Sequence, residues 1–258
     1  MKRVRKGSQR QRSGQILVIT VLVVSLVLLS TQVYIYEVSN SLNETRSTRV
    51  NDFVLAVKLG SNNIISGSLA NITRGGDSSI LSKNLGRWAS FVESFYMFGT
   101  PILNFTLKNT APYTNGTYIF WGTEGSGISS ACSEFNFSLV DGQVNVQLAY
   151  SVNATTSIVV ESVYRTLNGN IRQVNVTCSL LNEGKPALAG TVTVLYESSG
   201  FWNRADQQSN YVFTDYGNGT YLISFEADIP EINVNVSAQV YDSRGIYVRA
   251  NATSTNTP

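Results

Sequence analysis

The chain has 258 residues, a formal net charge of +2 and no histidine. Without histidine it lacks the commonest general base and metal ligand, and nucleophilic catalysis of the Ser-His or Cys-His kind is excluded. Six of the nineteen Lys and Arg residues lie in the first fourteen positions, which leaves thirteen against seventeen acidic residues, or −4, from residue 15 onward. This mildly acidic remainder does not favour nucleic acid as a partner.

The first predicted element is an uncharged, largely apolar run of twenty-one residues from Ile16 to Tyr36. As one helix it is long enough to cross the hydrocarbon core of a bilayer. The residues before it are basic, and basic flanks stay on the cytoplasmic side. We therefore expect a single-pass protein of the cell membrane, with its N-terminus in the cytoplasm, its bulk outside the cell, and membrane lipid as a partner.

Apolar residues after Glu37 recur at helical spacing, which predicts that the same helix continues to about Ala70 as an extracellular stalk. The segment Thr73–Ser79 is typical of a turn, with Asp77 or Ser78 as the N-cap of the next helix. This second helix is predicted from Leu81 to about Phe98, where glycine and proline end it.

From Ile102 the apolar period changes to two, which predicts a small antiparallel β region. Its expected strands are Ile102–Lys108, Gly116–Trp121, Glu134–Val140 and Gln143–Val152. Asp141-Gly142 predicts a hairpin between the last two. The glycine-rich segment Gly122–Ser130 lacks the Gly-Lys-Ser/Thr ending of a phosphate-binding loop, so we expect a flexible surface loop there.

A second β region, beginning near Thr156, contains seven short alternating segments separated by turn residues. They are Ser157–Thr166, Arg172–Leu180, Gly190–Tyr196, Tyr211–Asp215, Thr220–Ala227, Val234–Tyr241 and Ile246–Ala250. Seven strands in about a hundred residues predict a sandwich. The polar end Asn251–Pro258 has nothing to bury and is expected to be disordered.

The expected fold is mainly β, with an N-terminal transmembrane and stalk helix, helices confined to residues 15–98, and an antiparallel sandwich near the C-terminal end. The expected organisation is a basic cytoplasmic leader at 1–14, a transmembrane helix at 15–36, a helical stalk with a second helix at 37–99, a small antiparallel β region at 100–155, a sandwich at 156–250 and a disordered tail at 251–258.

The second β region resembles prokaryotic immunoglobulin-like surface domains. The resemblance is carried by NVTCSLLNEGKPALAGTVTVLY, FTDYGNGTYLISFEADIP and VNVSAQVYDSRGIYVRA. It implies an immunoglobulin-like sandwich that acts as a spacer, stalk or binding module, without a shared catalytic set.

The N-terminus looks like an archaeal type IV pilin-like precursor with a class III signal peptide: a basic leader, then Gly14-Gln15, then the apolar run. The resemblance implies cleavage between Gly14 and Gln15 and packing of the helix with other pilin-like subunits. Two positions depart from the family pattern: Ser13 stands where a basic residue is frequent, and Ile19 stands where many members have glutamate. The chain is thus either a cleaved pilin-like subunit or an uncut anchor.

Ten Asn-X-Ser/Thr sequons lie beyond the apolar run, on the side where glycans are attached. They are Asn43, Asn71, Asn104, Asn115, Asn136, Asn153, Asn175, Asn218, Asn235 and Asn251. With twenty-four asparagines in the chain, chance alone would give roughly five. The excess predicts a glycoprotein in which only some sites are used, and Asn175 is expected on the outer face of its strand.

Cys132 and Cys178 are candidates for one disulfide, which would contribute about 4 kcal/mol on the chain-entropy model. The alternative is two separate buried thiols, because Cys178 alternates with core residues and Cys132 with polar ones.

Three other groups of side chains have both a functional and a structural interpretation. Trp88, Trp121 and Trp202 are typical of a sugar-binding surface or, as we expect, of cores and strand faces. Asp206, Asp215 and Asp242 lack the dense spacing of a calcium site and are expected to cap turns. Glu134 or Glu161, paired with an aspartate, would be needed for a carboxylate-dependent hydrolase.

We therefore expect a membrane-anchored extracellular structural or adhesive surface protein, with an extracytoplasmic hydrolase as the alternative function. No catalytic residue, cofactor or metal is predicted. The expected partners are membrane lipid, other pilin-like subunits, cell-surface proteins or glycans, and no nucleic acid.

Overall fold

The computed structural model describes residues 9–96, 99–141 and 144–257, but not the side chains of 9–20, 22, 39–48, 141 and 144. The chain is mainly β, since the described strands contain more residues than the described helices. It divides into two compact units, Met1–Ala56 and Val57–Pro258.

Helix α1 (Gln9–Thr73) includes the described residues of the first unit and ends within the second. No helix in the part of the chain whose side chains are described is both long and apolar enough to be identified as a membrane span. The leader at residues 1–8 lies outside the described residues. The structure does not describe the side chains of Gly14 and Gln15, nor those of positions 16–20 and 22 at the start of the apolar run.

The end of α1 packs against helix α2 (Ile80–Phe95), whose Leu81, Leu85 and Val92 are buried at intervals of four and seven residues. The second helix was therefore predicted correctly, but its N-cap residue is Ser79 and not Asp77 or Ser78. Asp77 still acts in the turn, because its carboxylate accepts a hydrogen bond from the Ser79 amide.

Twelve strands and a short 3-10 helix, Ala205–Gln207, come after the helices. The strands are β1 (Thr100–Leu107), β2 (Thr117–Trp121), β3 (Ser126–Asp141), β4 (Val144–Asn168), β5 (Ile171–Asn182), β6 (Lys185–Pro186), β7 (Ala189–Ser198), β8 (Phe201–Arg204), β9 (Ser209–Asp215), β10 (Thr220–Asp228), β11 (Val234–Asp242) and β12 (Tyr247–Asn256). The expectation that helices are confined to residues 15–98 is wrong at both limits. Helix α1 begins at Gln9, and the 3-10 helix lies beyond residue 98.

The strands form one curled mixed sheet in the order β8-β7-β11-β12-β4-β5-β10-β9. Most neighbours are antiparallel, but β12 pairs with β4 in parallel, with Thr255 opposite Val163. The curl brings β5 and β10 opposite β7, β11 and β12, as the Tyr196 and Phe225 rings 5.3 Å apart show. The main core fills the space between them and is almost wholly apolar.

Strand β4 is continuous through residues 155 and 156, where two β regions were expected to meet. Its first half pairs with β3 and its second half with β5. β3 and β4 join as the predicted hairpin, although residues 142 and 143 themselves lie outside the described part. Both β regions therefore share one long strand within the unit Val57–Pro258.

Strands β1, β3 and the start of β4 cover the helices. Alternate residues such as Leu103 and Phe135 are buried, and the Tyr150 ring stacks on Phe135 at 5.0 Å. The hydroxyl groups of Tyr150 and Ser61 are 3.0 Å apart, and Ser61 also accepts a hydrogen bond from Trp88 Nε1. The other face of β1 and β3 is mostly exposed and mixes polar residues such as Asn104 and Asn136 with the apolar Ile102 and Val140.

The segment Gly122–Ser130 is not a flexible loop. Its second half is the start of β3, and the turn before it fills the gap between β12 and β4. The Gly125 amide donates to the Asn251 carbonyl at 2.8 Å, and the Gly125 carbonyl accepts from the Val160 amide at 2.7 Å. A Cβ atom on Gly125 would lie 2.4 Å from the Val160 carbonyl oxygen, so only glycine fits.

The segment Asn251–Asn256, expected to be disordered, is the second half of β12. Ala252 and Ser254 are buried, and the Ser254 hydroxyl lies 2.6 Å from that of Ser162. The segment buries small residues at every second position, a pattern that its polar composition hides.

Candidate ligand-binding groove

The outer face of β7, β11 and β12 carries polar side chains in register. Across β11 and β12, Asn235 lies opposite Thr253, Ser237 opposite Asn251, and Gln239 opposite Arg249. Leu195 of β7 lies opposite Ser237. Because side chains of paired residues point to the same face of a sheet, they form rows across the three strands.

Two neighbouring cavities lie along these rows. One cavity, about 280 Å³, is lined by Leu195, Trp202, Ser237, Gln239, Arg249 and Asn251. The next, about 320 Å³, shares Trp202 and Asn251 with it and adds Thr123, Asn235, Ala252 and Thr253. We call the first cavity, with its six lining residues, the Trp202 groove.

Asn235 and Thr253, which line the second cavity and not the first, have hydrogen-bond partners within the protein. Asn235 donates through Nδ2 to Glu197 at 2.9 Å, and its Oδ1 accepts from the Thr253 hydroxyl at 2.9 Å. This row of the sheet is therefore internally hydrogen-bonded and has little capacity left for a ligand.

The Trp202 groove differs, because its polar groups lack protein partners. The Asn251 Oδ1 atom is buried and accepts no hydrogen bond from any described residue. Within the described part of the chain, the side chains of Ser237 and Gln239 make no hydrogen bond and Arg249 pairs with no carboxylate. Buried polar atoms are normally paired, so these groups are positioned to bind something else.

The Arg249 guanidinium is held from its other side by Trp121, with its central carbon 5.5 Å from the ring centroid. Trp121 is itself fixed: its Nε1 donates to the Ser129 hydroxyl, which donates to the Tyr247 carbonyl. The Tyr247 ring meets the indole edge-on at 5.1 Å, and burial raises the pKa of its phenol. An aromatic support of this kind orients the guanidinium and leaves its N–H donors unused.

A third cavity, about 530 Å³, lies between the Gly122–Gly125 turn, β4 and β12, and is lined by both Glu124 and Glu161. Both glutamates are exposed, whereas a carboxyl group that acts as a general acid is usually kept in apolar surroundings. Glu134, the other glutamate considered from sequence, lies on the exposed face of β3 opposite Ser151 and not in this cavity.

The structure does not bring Cys132 and Cys178 together, and both are free and buried. Cys132 pairs with Asn153 and Cys178 with Val160 on the same strand, β4. Seven residues of strand separate these partners by about 23 Å, far beyond the reach of a disulfide. The alternative of two buried thiols is correct, and burial raises the pKa of Cys178 to about 12.

The sequons occupy very different surroundings. Asn71, Asn104, Asn115, Asn136, Asn153 and Asn218 are exposed, and Asn175, Asn235 and Asn251 are half-buried. The Asn43 side chain lies outside those described. Asn104 and Asn136 are direct neighbours across β1 and β3, and the sequons at Asn235 and Asn251 face each other across β11 and β12.

The aspartates act in turns or ion pairs, and the described residues contain no cluster of three or more potential metal ligands of the His, Cys, Asp or Glu type. Asp215 accepts from the Gly217 amide, whereas Asp206 pairs with Arg204. The Asp242 side chain is fully buried, accepts from the Ile246 amide and the Thr156 hydroxyl, and pairs with Arg244 at 2.8 Å.

Sequence reasoning missed the Trp202 groove, although part of its signal was present. The alternation Asn235, Ser237, Gln239 in one strand and Arg249, Asn251, Thr253 in the next marks two polar faces, and the turn between them sets their register. Trp202, expected in a core or on a strand face, lies on strand β8 and is 44% exposed. Compared with known protein families and with curated proteins, the chain matches none.

Proposed function

We propose that the protein is a membrane-anchored, extracytoplasmic structural or adhesive surface protein. The observation that carries the proposal is the surface of α1 between Val21 and Tyr36. Eleven large apolar side chains in this stretch are 51% to 68% exposed. An exposed apolar surface of this extent needs a cover, and a bilayer or a set of similar helices supplies one.

The orientation is inferred from charge. Six basic residues and no acidic ones precede Ile16, a bias that keeps the N-terminus in the cytoplasm. The unit Val57–Pro258, called the β unit below, would then be displayed outside the cell, where its exposed sequons are available for glycan attachment.

Protease treatment of intact cells tests this location. We expect digestion of the chain from Glu37 onward, with the N-terminal segment protected. Protection of the β unit, or release of the protein by a salt wash without detergent, would contradict the anchor. A cytoplasmic protein followed in the same sample controls for cell lysis.

The proposal includes two forms of the anchor, a cleaved pilin-like subunit and an uncut helix, which mass spectrometry of the N-terminal peptide distinguishes. A mature chain that begins at Gln15 would support the pilin-like form and an intact leader the uncut anchor. Cleavage would remove all six basic residues of the leader. The helix would then be held less firmly at the cytoplasmic face and would be freer to pack with copies of itself. Electron microscopy of sheared filaments would test that packing.

An immunoglobulin-like relationship of the region 156–250 stays part of the proposal, supported by the strand-and-turn runs that carry the resemblance. The hydrolase alternative is supported only by Glu124 and Glu161 lining one cavity. If it were correct, Glu161→Gln would abolish a glycosidase activity of the purified chain, and we expect no such activity to lose.

A further inference from the structure

We propose that the Trp202 groove binds a carboxylate-bearing sugar, such as a uronic acid residue of a glycan. The inference rests on the proposed surface function, since it names the partner class that an adhesive protein would contact. It is carried by three features of the groove: its unpaired guanidinium, its unpartnered neutral polar groups and its exposed indole.

The Arg249 guanidinium indicates that the ligand is negatively charged. Arg249 lines the groove, stacks on Trp121 and has no carboxylate partner among the described residues. A guanidinium offers paired N–H donors that match the two oxygens of a carboxylate. Because Trp121 already orients the group, little further side-chain ordering is needed when the ligand binds.

The neutral polar side chains of the groove indicate that the ligand also carries hydroxyl groups. Ser237 and Gln239 supply donors and acceptors on the floor of the groove, and the Asn251 Oδ1 atom needs a donor that no described residue provides. A hydroxyl group can donate to Asn251 and accept from Gln239, whereas a simple anion can only accept.

The exposed indole of Trp202 indicates that the ligand also has an apolar face. Its indole is 44% exposed at the rim of the groove, although the residue belongs to a regular strand pair. Aromatic rings with one wet side suit ligands that combine apolar C–H surfaces with polar groups. The volume of about 280 Å³ lies near the lower limit for small-ligand sites and suits a short segment of a chain of sugars.

The neighbouring row provides an internal comparison. Asn235, Thr253 and Glu197 have a similar mix of polar groups but bind one another. The ligand site is therefore confined to the rows of Ser237 and Gln239. The same geometry requires Asn251 to carry no glycan, because a sugar on its Nδ2 atom would fill the groove.

The test is calorimetric titration of the purified full chain, in detergent micelles, with trigalacturonic acid and with its methyl ester. The ester keeps the sugar rings and their hydroxyl groups but replaces each carboxylate with an uncharged methyl ester. We expect binding of the acid and at least about tenfold weaker binding of the ester, as for loss of a charge-assisted hydrogen bond. Equal binding of the two probes, or binding of neither, would overturn the inference.

Variants locate the site. Arg249→Gln and Trp202→Ala should each weaken binding of the acid by about tenfold or more, while Arg204→Gln, an exposed arginine paired with Asp206, should leave it unchanged. Trp202→Ala is a second test that stays valid if Arg249→Gln misfolds. Trp202 is exposed, so its loss should not change the melting temperature. Unchanged binding in the Trp202→Ala or Arg249→Gln variant would refute the assignment.

Two further measurements separate the remaining outcomes. Competition by millimolar inorganic sulfate as strong as that by the sugar acid would show a plain anion site and reject the sugar. Glycopeptide mass spectrometry of protein from its own cells should find Asn251 unmodified, and a glycan there would reject the groove. If the sugar acid fails to bind while protease still reaches the β unit on intact cells, only this inference falls and the proposed location stands.

Discussion

Replacing Gly125 with alanine is expected to loosen the sheet where β12 meets β4. Gly125 has a φ of +75°, and its added Cβ would lie 2.4 Å from the Val160 carbonyl oxygen. Ordinary carbon–oxygen contact begins near 3.4 Å, so one of the two backbones must move by roughly 1 Å, an overpacking of the kind that costs about 1–3 kcal/mol.

Two further contributions add to that cost. An alanine in the left-handed region loses about 1–2 kcal/mol. The movement also lengthens the hydrogen bonds from Gly125 to Asn251 and from Val160 to Gly125, each worth about 1 kcal/mol. We therefore expect a loss of about 3–5 kcal/mol, a large fraction of the stability of a typical domain.

Gly200→Ala is the matched control. Gly200 has nearly the same φ, +77°, but no atom lies within 4 Å of the position that its Cβ would occupy. It should therefore show only the conformational cost, about 1–2 kcal/mol. Thermal unfolding followed by far-UV circular dichroism gives the comparison, and about 1 kcal/mol corresponds to 2–4 °C at this size.

Hydrogen exchange supplies a local readout of the same change. The amides of Val160 and Asn251 bond to the Gly122–Gly125 turn, so their exchange should be faster in Gly125→Ala and unchanged in Gly200→Ala. If both variants melt alike and protect these amides alike, the turn does not hold the two strands together and the reasoning is refuted.

Three other predictions concern single residues. Asp242→Asn should destabilise the protein by about 1–3 kcal/mol in chemical denaturation, because Arg244 loses its buried partner and keeps only the more exposed Glu183. Asp215→Asn, in an exposed turn, should cost less than about 1 kcal/mol; equal effects would contradict the role of burial. The Cys178 thiol should react with a thiol reagent only after unfolding. Burial raises its pKa from 9.0 to about 12, so between these pH values the unfolded state loses the thiol proton while the folded state keeps it. The contribution of Cys178 to the free energy of unfolding should therefore fall by about 1.4 kcal/mol per pH unit from about pH 9 to about pH 12. A Cys178→Ala variant should lack this contribution, and rapid labelling of the folded protein would disprove the burial. Glycopeptide analysis should find a glycan at Asn218, exposed in the turn before β10, and none at Asn235, whose Nδ2 atom donates to Glu197; the reverse pattern would show that surroundings do not select the sites.

The sequence predicts local structure well where one physical signal dominates. Strand β5 alternates buried Val174, Val176 and Cys178 with half-buried polar residues, and it was predicted within two residues at each end. The spacing of Leu81, Leu85 and Val92 likewise predicted α2. In both elements the apolar residues recur in the sequence at the same spacing as the side chains that point to the core.

Predictions failed at residues whose identity depends on a contact with a residue far away in the sequence. Gly125 and Gly127 are glycines because the Val160 and Arg249 carbonyls approach them, and those partners are 35 and 122 residues away. Local sequence presents such glycines as a loop. For the same reason the groove could not be assembled from sequence, since Trp202, Gln239 and Arg249 meet only through the pairing of β7, β8, β11 and β12.

The position of β12 has a consequence for how the chain reaches its native state during synthesis. β12 follows the other eleven described strands in the chain and emerges from the ribosome after them, yet it lies between β11 and β4 and not at an edge. Until it arrives, the unit from Val57 onward has two unpaired strand edges and an open core, so its final cooperative step must wait for β12. During that interval the free edges of β11 and β4 are open to pairing with strands of other chains.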